Sequence, residues 1–200
     1  MRRYNKKNSK MDIFLDCGTH KGEGLTEFLN LNIIGDGYKV YCFEPNPNLT
    51  DESKLSDITL NDGKRVGDLV DIIFSEKAVW IEDGFVEFVP LGDHASHIMH
   101  MGHTNQEIHT NKEKPVGVPS FDLSKFIDSL PYGSNITCKM DIEGAEFKVL
   151  RKLIEDGTIK RIKRIYVEFH PHFVIDESDD STNKIINTII GSGVEYHSWY

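Results

Sequence analysis

Along this chain the apolar residues switch repeatedly between strand and helix periods. Ile13, Phe14 and Leu15 form an unbroken apolar run, as a strand covered on both faces requires. The chain is expected to turn at Asp16, punctuated by Gly18 and Gly22, and from Glu23 the residues Leu25, Phe28 and Leu29 recur at helical spacing. Val40–Phe43 predicts a second strand and Asp71–Phe74 a third; residues 48–67 between them are turn-rich, with a short irregular helix around Asp51–Leu55. Trp80 to Val89 alternates about a Glu82-Asp83-Gly84 turn and predicts a β-hairpin. Residues 91–114 predict a long loop or lid on the substrate side. An extended piece, Val116–Phe121, leads to Asp122, a good N-cap for a helix through Leu130. Ile136–Asp141 predicts a fourth core strand. The helix after it is expected to open over 142–146, to bury Phe147, Val149, Leu150, Leu153 and Ile154, and to close at Gly157. Ile165–His170 predicts a fifth strand, Ser181–Ile190 a helix and Val194–Trp199 a last strand. Strands alternating with helices imply an α/β fold, a doubly wound and mostly parallel sheet with helices on both faces.

A strand, a glycine turn and a helix start, in that order, can cradle a nucleotide-like ligand. Glycine lets backbone approach the ligand, and the helix start presents unpaired N–H groups. The spacing from Gly18 to Gly22 is Gly-x-x-x-Gly, which is neither the dinucleotide fingerprint nor a Walker loop, and this disfavours a nicotinamide dehydrogenase. Asp16 would repel a phosphate but attract an ammonium or sulfonium. Glu44 follows the second strand, where a doubly wound fold places the acid that accepts both ribose hydroxyls. An adenosine site without a phosphate reader, beside an acid that favours a cation, points to S-adenosylmethionine as cofactor.

The strand ends also supply Asp141, Glu143, Glu168 and His170 to the same rim. Transfer of a methyl group to an alcohol needs the acceptor held about 3 Å from the methyl carbon and a group that takes its proton. These four are the candidates, each with a plainer reading. Asp141 can cap the next helix, and Glu143 can simply favour that helix's dipole. Glu168 and His170 are two apart and so point the same way from a strand. Lys139, in an apolar strand, needs a buried partner or must snorkel to an edge. His94, His97, His100 and His103 recur every third residue, with His109 beyond. On a helix that spacing suits zinc, but no Cys accompanies them and Gly92 and Gly102 favour a loop. They are expected to be solvated loop histidines, with the central His97 as the one a lid would carry to the acceptor as base. No dedicated metal site is expected; Mg²⁺ held by Asp141, Glu168 and His170 is a possible but disfavoured variant.

Two hundred residues, 38% hydrophobic, suit one sizeable core, and residues 12–200 are expected to form one domain behind a basic flexible tail or linker at 1–11. A net charge of −9 argues against a protein that tracks nucleic-acid phosphates. Cys17, Cys42 and Cys138 lie in or beside strand runs without paired spacing, which suits reduced thiols in the cytoplasm. No apolar run reaches the roughly 20 residues of a membrane span. The cluster Lys160, Arg161, Lys163 and Arg164 suits a solvated face.

Several segments, in order over about residues 12–170, resemble the FkbM family of S-adenosylmethionine-dependent methyltransferases. Phe-Leu-Asp-Cys-Gly-Thr-His-Lys-Gly at 14–22 is similar to its cofactor loop, and Tyr-Cys-Phe-Glu-Pro-Asn-Pro at 41–47 to its ribose segment. Lys-Ala-Val-Trp-Ile-Glu-Asp-Gly at 77–84 resembles the adenine-side strand, although related enzymes often have an acid where Lys77 stands. Val-Pro-Ser-Phe-Asp-Leu at 118–123, Lys-Met-Asp-Ile-Glu-Gly-Ala-Glu at 139–146 and Tyr-Val-Glu-Phe-His at 166–170 complete the match. The resemblance implies the class I methyltransferase (Rossmann-like) fold and O-methylation, often of sugars or natural products. It implies Asp16, Gly18 and Gly22 at the methionine end of the cofactor, Glu44 at the ribose and Ala78 near the adenine; Thr19, His20, Pro45 and Asp141, which adjoin these segments, are the further candidates for cofactor contact. The general fold has one more antiparallel strand than this sequence predicts, which suggests a trimmed fold or a domain of a larger protein.

The expected activity is therefore methylation of a carbohydrate hydroxyl, on a glycan or a small sugar-containing metabolite, with no nucleic-acid partner. The alternatives are a lipid or polyketide hydroxyl, or a non-catalytic cofactor-binding module that is fused to, or works with, a glycosyltransferase domain.

Overall fold

The computed structural model describes residues 10–46, 49, 51–90, 97–98 and 114–199. Residues 1–9 of the basic tail and nearly all of the 91–114 segment, with His94, His100, His103 and His109, lie outside the described residues.

Six parallel strands form the central sheet: β1 (Asp12–Cys17), β2 (Lys39–Phe43), β3 (Asp71–Ser75), β8 (Asn135–Met140), β9 (Ile162–Val167) and β10 (Glu195–Ser198). Their order is β10-β9-β8-β1-β2-β3. The chain thus runs outward from β1 to β3, then returns to the other side of β1 and runs outward again. The crevice at that reversal, between β1 and β8, is where doubly wound folds bind ligands.

Side-chain alternation on the strands splits the core into two layers. Phe14, Val40, Cys42 and Ile72 face a layer built with helix α1 (Glu23–Asn30) and the short helices α2 (Glu52–Asp57) and α3 (Val66–Leu69). Ile13, Leu15, Ile136, Cys138 and Ile165 face the other, shared with α4 (Leu123–Ser129), α5 (Glu146–Glu155) and α6 (Asp179–Gly191). Helices cover both faces, as alternating segments predict. Asp122 caps α4 by accepting the Lys125 N–H at 3.2 Å, and Ser178 closes a capping box on α6.

A second, four-stranded sheet packs into the latter layer in the order β4-β7-β5-β6, where β4 is Ala78–Trp80, β5 Gly84–Val89, β6 His97–Ile98 and β7 Val116–Asp122. It corrects the expected hairpin. β7 lies between β4 and β5, parallel to the first and antiparallel to the second, so Ala78 and Gly84 both sit opposite Ser120. Ser120 Oγ donates to the Glu82 carbonyl at 3.1 Å and the Asp122 N–H to Asp83 Oδ1 at 3.3 Å, so the Glu82-Asp83 turn wraps the later strand.

Boundaries shift at three places that matter below. Asp16 lies inside β1 rather than at a turn. β9 ends at Val167, which leaves Glu168 and His170 beyond the strand. Helix α5 opens only at Glu146, because Glu143 (φ 54°) and Gly144 (φ 98°) are left-handed and cannot continue a helix. Gly157 (φ 75°) closes it as expected.

Phe28 is fully buried and joins α1 to the sheet, with ring centroids 5.0 Å from Phe14, 4.7 Å from Tyr166 and 4.9 Å from Trp199. Phe28→Ala is expected to lower the unfolding free energy by about 3–5 kcal/mol, read from the midpoint of a urea transition.

Candidate active site

The carboxyl ends of β1, β2, β8 and β9 surround a cavity of about 570 Å³. Backbone bonds stitch these ends together: Gly18 and Thr19 N–H donate to the Phe43 carbonyl, Asp141 N–H to Cys17, and Glu168 N–H to Met140. The β1 and β8 loops meet so closely that a Cβ on Gly18 (φ 81°) would stand 1.8 Å from the Asp141 carbonyl oxygen. Glycine at 18 is thus dictated first by the neighbouring loop. At Gly22 (φ 93°) a Cβ would meet Leu55 and Ile58 side-chain atoms at 2.7 and 2.8 Å, and Gly22 does not line the cavity.

Beneath the loops lies a buried ion pair. Asp16 and Lys139 are neighbours in the β1–β8 register. Lys139 Nζ donates to the Gly18 carbonyl at 2.6 Å and lies 3.3 Å from Asp141 Oδ2 and 3.6 Å from Asp16 Oδ1. Burial opposes its charge, but the two carboxylates outweigh that and hold the ammonium above its ordinary value. Burial pushes the Asp16 carboxyl up, against the lowering effect of Lys139. Lys139 therefore does not snorkel. Asp16 is fully buried and absent from the cavity wall.

One part of the wall is apolar, from Phe43, Ala78, Val79, Phe88 and Ile98. Beside it stand Thr19, His20, Glu44 and Pro45. Glu44 is almost fully buried, and burial raises its carboxyl. Its Oε2 accepts the His20 N–H and its Oε1 the Asn46 N–H, both at 2.9 Å, so it ties the β1 loop to the β2 loop. Each oxygen keeps a lone pair for a further donor. His20 Nε2 is buried and has no hydrogen-bond partner among the described residues, although the ring lines the cavity. Spare acceptors, an unpartnered ring nitrogen and an apolar cup fit a nucleoside.

The other part is ionisable: Asp141, Glu143, Glu168 and His170 all line it. His170 Nε2 lies 3.5 Å from Glu168 Oε1, 3.7 Å from Glu143 Oε2 and 4.0 Å from Asp141 Oδ1. Its Nδ1 lies 3.1 Å from Oε1 of Glu146, which is fully buried and outside the cavity. Burial lowers the imidazole's affinity for a proton, but Glu146, Glu143 and Asp141 reverse this and raise His170 to about 9. Burial, opposed by His170 and aided by Asp141, Glu146 and Glu168, raises Glu143 to about 7. Asp141, Glu168 and His170 can each bring a ligand atom within 4.8 Å of the others, which is the spacing of a metal site.

The structure thus brings Gly18, Thr19, His20, Glu44, Pro45, Ala78, Asp141, Glu143, Glu168 and His170 to one cavity and leaves Asp16 and Gly22 behind its wall. Glu168 and His170 converge although neither lies on the strand. The backbone of His97 pairs with Val89, and its neighbour Ile98 lines the cavity; its side chain lies outside the described residues. Sequence reasoning missed Glu146 and the pairing of Lys139. The signal for the second was a Lys and an Asp in adjacent parallel strands, each at a strand's carboxyl end.

The family described as "methyltransferase FkbM domain" matches residues 16–195, nine-tenths of the chain. The chain belongs to the FkbM methyltransferase family. Searches of curated proteins and of solved structures return no significant match. In this methyltransferase no helix among the described residues is long and apolar enough to cross a membrane.

The ionisable cluster gives the methyltransferase a pH-dependent stability. A raised histidine pKa contributes stability below the unfolded value of 6.5, and that contribution is lost as pH rises through about 9. Between those limits the unfolding free energy is expected to fall by something on the order of 3 kcal/mol; in a His170→Gln variant Glu143, no longer held down by the imidazolium, is expected to titrate higher and carry part of the slope instead. Urea titrations across that pH range measure it.

Proposed function

We propose that this FkbM methyltransferase uses S-adenosylmethionine to methylate a hydroxyl of a carbohydrate, on a glycan or a small sugar-containing metabolite. The observation that carries the reading is the meeting, at the sheet's switch point, of a nucleoside-shaped pocket around Glu44 with the carboxylate–imidazole cluster of Asp141, Glu143, Glu168 and His170.

Glu44 would accept the ribose hydroxyls on its remaining lone pairs, with Thr19, His20 and Pro45 around it and Ala78 in the apolar cup for the base. Gly18 and Asp141 would flank the methionine part. Asp16 would act there through Lys139, since it is walled off from the cavity. Bound in this way, the cofactor supplies a methyl carbon on a cationic sulfur, with a neutral thioether as leaving group. Glu143 is the group best poised to take the acceptor's proton, because a pKa near 7 leaves much of it ionised at neutral pH while keeping it basic. Glu143 would take the acceptor hydroxyl's proton as that oxygen gains the methyl group and the neutral thioether departs. Asp141 and Glu168 would hold neighbouring hydroxyls of a sugar, and His170 would keep the three acids together. His97, on the strand beside the cavity, remains a candidate to close over the acceptor.

A second reading adds a divalent ion on Asp141, Glu168 and His170; the observation in its favour is the ligand-atom spacing of that triad. There the ion would replace the proton that His170 otherwise holds.

Glu44→Ala is expected to weaken binding of both S-adenosylmethionine and its demethylated product by roughly a hundredfold or more, the equivalent of two charge-assisted hydrogen bonds. Calorimetric titration measures it, and unchanged affinity would overturn the ribose assignment. Incubation of the wild type with methyl-labelled cofactor and a panel of glycans, lipids and polyketides should label a glycan, with activity that survives EDTA. Label on lipid or polyketide only would replace the acceptor class, loss of activity in EDTA would establish the metal reading, and cofactor binding with no transfer to anything would favour a non-catalytic module.

A further inference from the structure

Glu146 has no place on the cavity wall, yet it is fully buried at the first position of α5. A carboxylate at a helix start ordinarily serves the dipole from the surface, as Glu23 does on α1, where its side chain is 63% exposed. Glu146 does something else. Its Oε1 accepts the Ile142 N–H at 2.8 Å and stands 3.1 Å from His170 Nδ1. His170 keeps its second proton up to about pH 9, so near neutrality its Nδ1 carries hydrogen and donates to that oxygen.

Those two contacts join different parts of the fold. Ile142 belongs to the β8 loop, whose next residues, Glu143 and Gly144, are left-handed; His170 belongs to the loop after β9. Donation from Nδ1 also decides where the other ring nitrogen points. Nε2 faces Glu168, Glu143 and Asp141 within 4.0 Å. The ring is itself nine-tenths buried.

We propose that Glu146 is the positioning residue of this site: it pins His170 through Nδ1, so that Nε2 is held toward the cavity among Asp141, Glu143 and Glu168. This rests on reading the cavity as the methyl-transfer site. Without the pin, the imidazolium would keep partners on its Nε2 side alone, and the ring would be free to turn toward the three carboxylates of the cavity. The spacing of acids around the acceptor hydroxyl would go with it. A plain helix-start role would need the Ile142 contact alone and would leave the imidazole indifferent to residue 146.

The test uses the whole chain labelled with ¹⁵N-histidine. His170→Gln identifies the His170 signals by their loss. Wild type should show a hydrogen-bonded Nδ1–H proton on His170 that exchanges slowly with water. In Glu146→Ala that exchange should speed up by at least about tenfold, the factor one charge-assisted bond supplies. Glu146→Gln, whose amide oxygen can still accept from both donors, should restore most of the protection. Should Glu146→Ala unfold, the Gln variant and wild type still decide the matter. A wild-type His170 protonated at Nε2 alone, an unchanged Nδ1–H in Glu146→Ala, or a Gln variant that keeps its fold but shows no protected Nδ1–H would each overturn the proposal. Titration of the same proteins with S-adenosylhomocysteine separates the two readings. If none binds while the Nδ1–H behaves as expected, the cofactor reading fails and the pin stands.

Discussion

A single ammonium group, that of Lys139, sits where the two halves of the sheet diverge. The parallel register places it beside Asp16 on β1, and its reach places it under the Gly18 carbonyl and against Asp141. Taking such charges out of water costs several kcal/mol for each, and only close partners recover it. The sequence therefore has to keep the two strand-end loops packed together over the lysine. Gly24 in α1 leaves room for the stem, since a Cβ there would come within 3.2 Å of Lys139 Cε. Gly18 lets the β1 loop press on the Asp141 carbonyl. The cavity above exists because these loops are fixed in this way, and Glu44 adds the third tie by holding His20 and Asn46.

The acid cluster is the complementary problem. Asp141 and Glu143 from the loop after β8 converge with Glu168 from the loop after β9, and like charges at this distance repel unless something cationic or a shared proton stands among them. His170 fills that position, which is why its proton is held so firmly, and Glu143 still keeps a carboxyl raised to about 7 by its burial among the other acids. Glu143 also sits in a left-handed backbone conformation that residues with a Cβ rarely adopt, followed by left-handed Gly144. Strain of this kind persists only where the surroundings over-determine it. Here the surroundings are the Gly18–Asp141 contact on one side and buried Glu146 on the other.

Much of this was legible because buried parallel strands write continuous apolar runs and helices write a 3.6 period. The mostly parallel sheet, the helices on both its faces and the rim of strand-end acids follow from those patterns together with the rule for where open sheets bind ligands. What stayed hidden depended on contacts between distant segments. Nothing in Trp80–Val89 says that Val116–Asp122 will insert between its two arms. The helix at 142–146 was expected too early because Glu143 is an ordinary helix former, and only tertiary packing turns it left-handed. Asp16 looked like a ligand contact because a strand-Asp-x-Gly turn usually exposes its acid; one residue more of strand buried it.

The misplacement of Asp16 changes the electrostatics of the cavity. If Asp16 faced the ligand, Lys139 would keep Asp141 as its one carboxylate partner, and the carboxylate of Asp16 would stand in the wall instead. With Asp16 and Asp141 both against Lys139, that charge is already balanced by the protein. The remaining wall carries Glu23, Glu44, Glu143 and Glu168 against His20, His170 and His172. Such a surface attracts a cationic sulfonium, accepts hydrogen bonds from neutral hydroxyls and repels phosphate or carboxylate. On the proposed reading, the buried lysine selects as well as supports: by spending its charge inward it leaves the acceptor side to uncharged, hydroxyl-rich molecules.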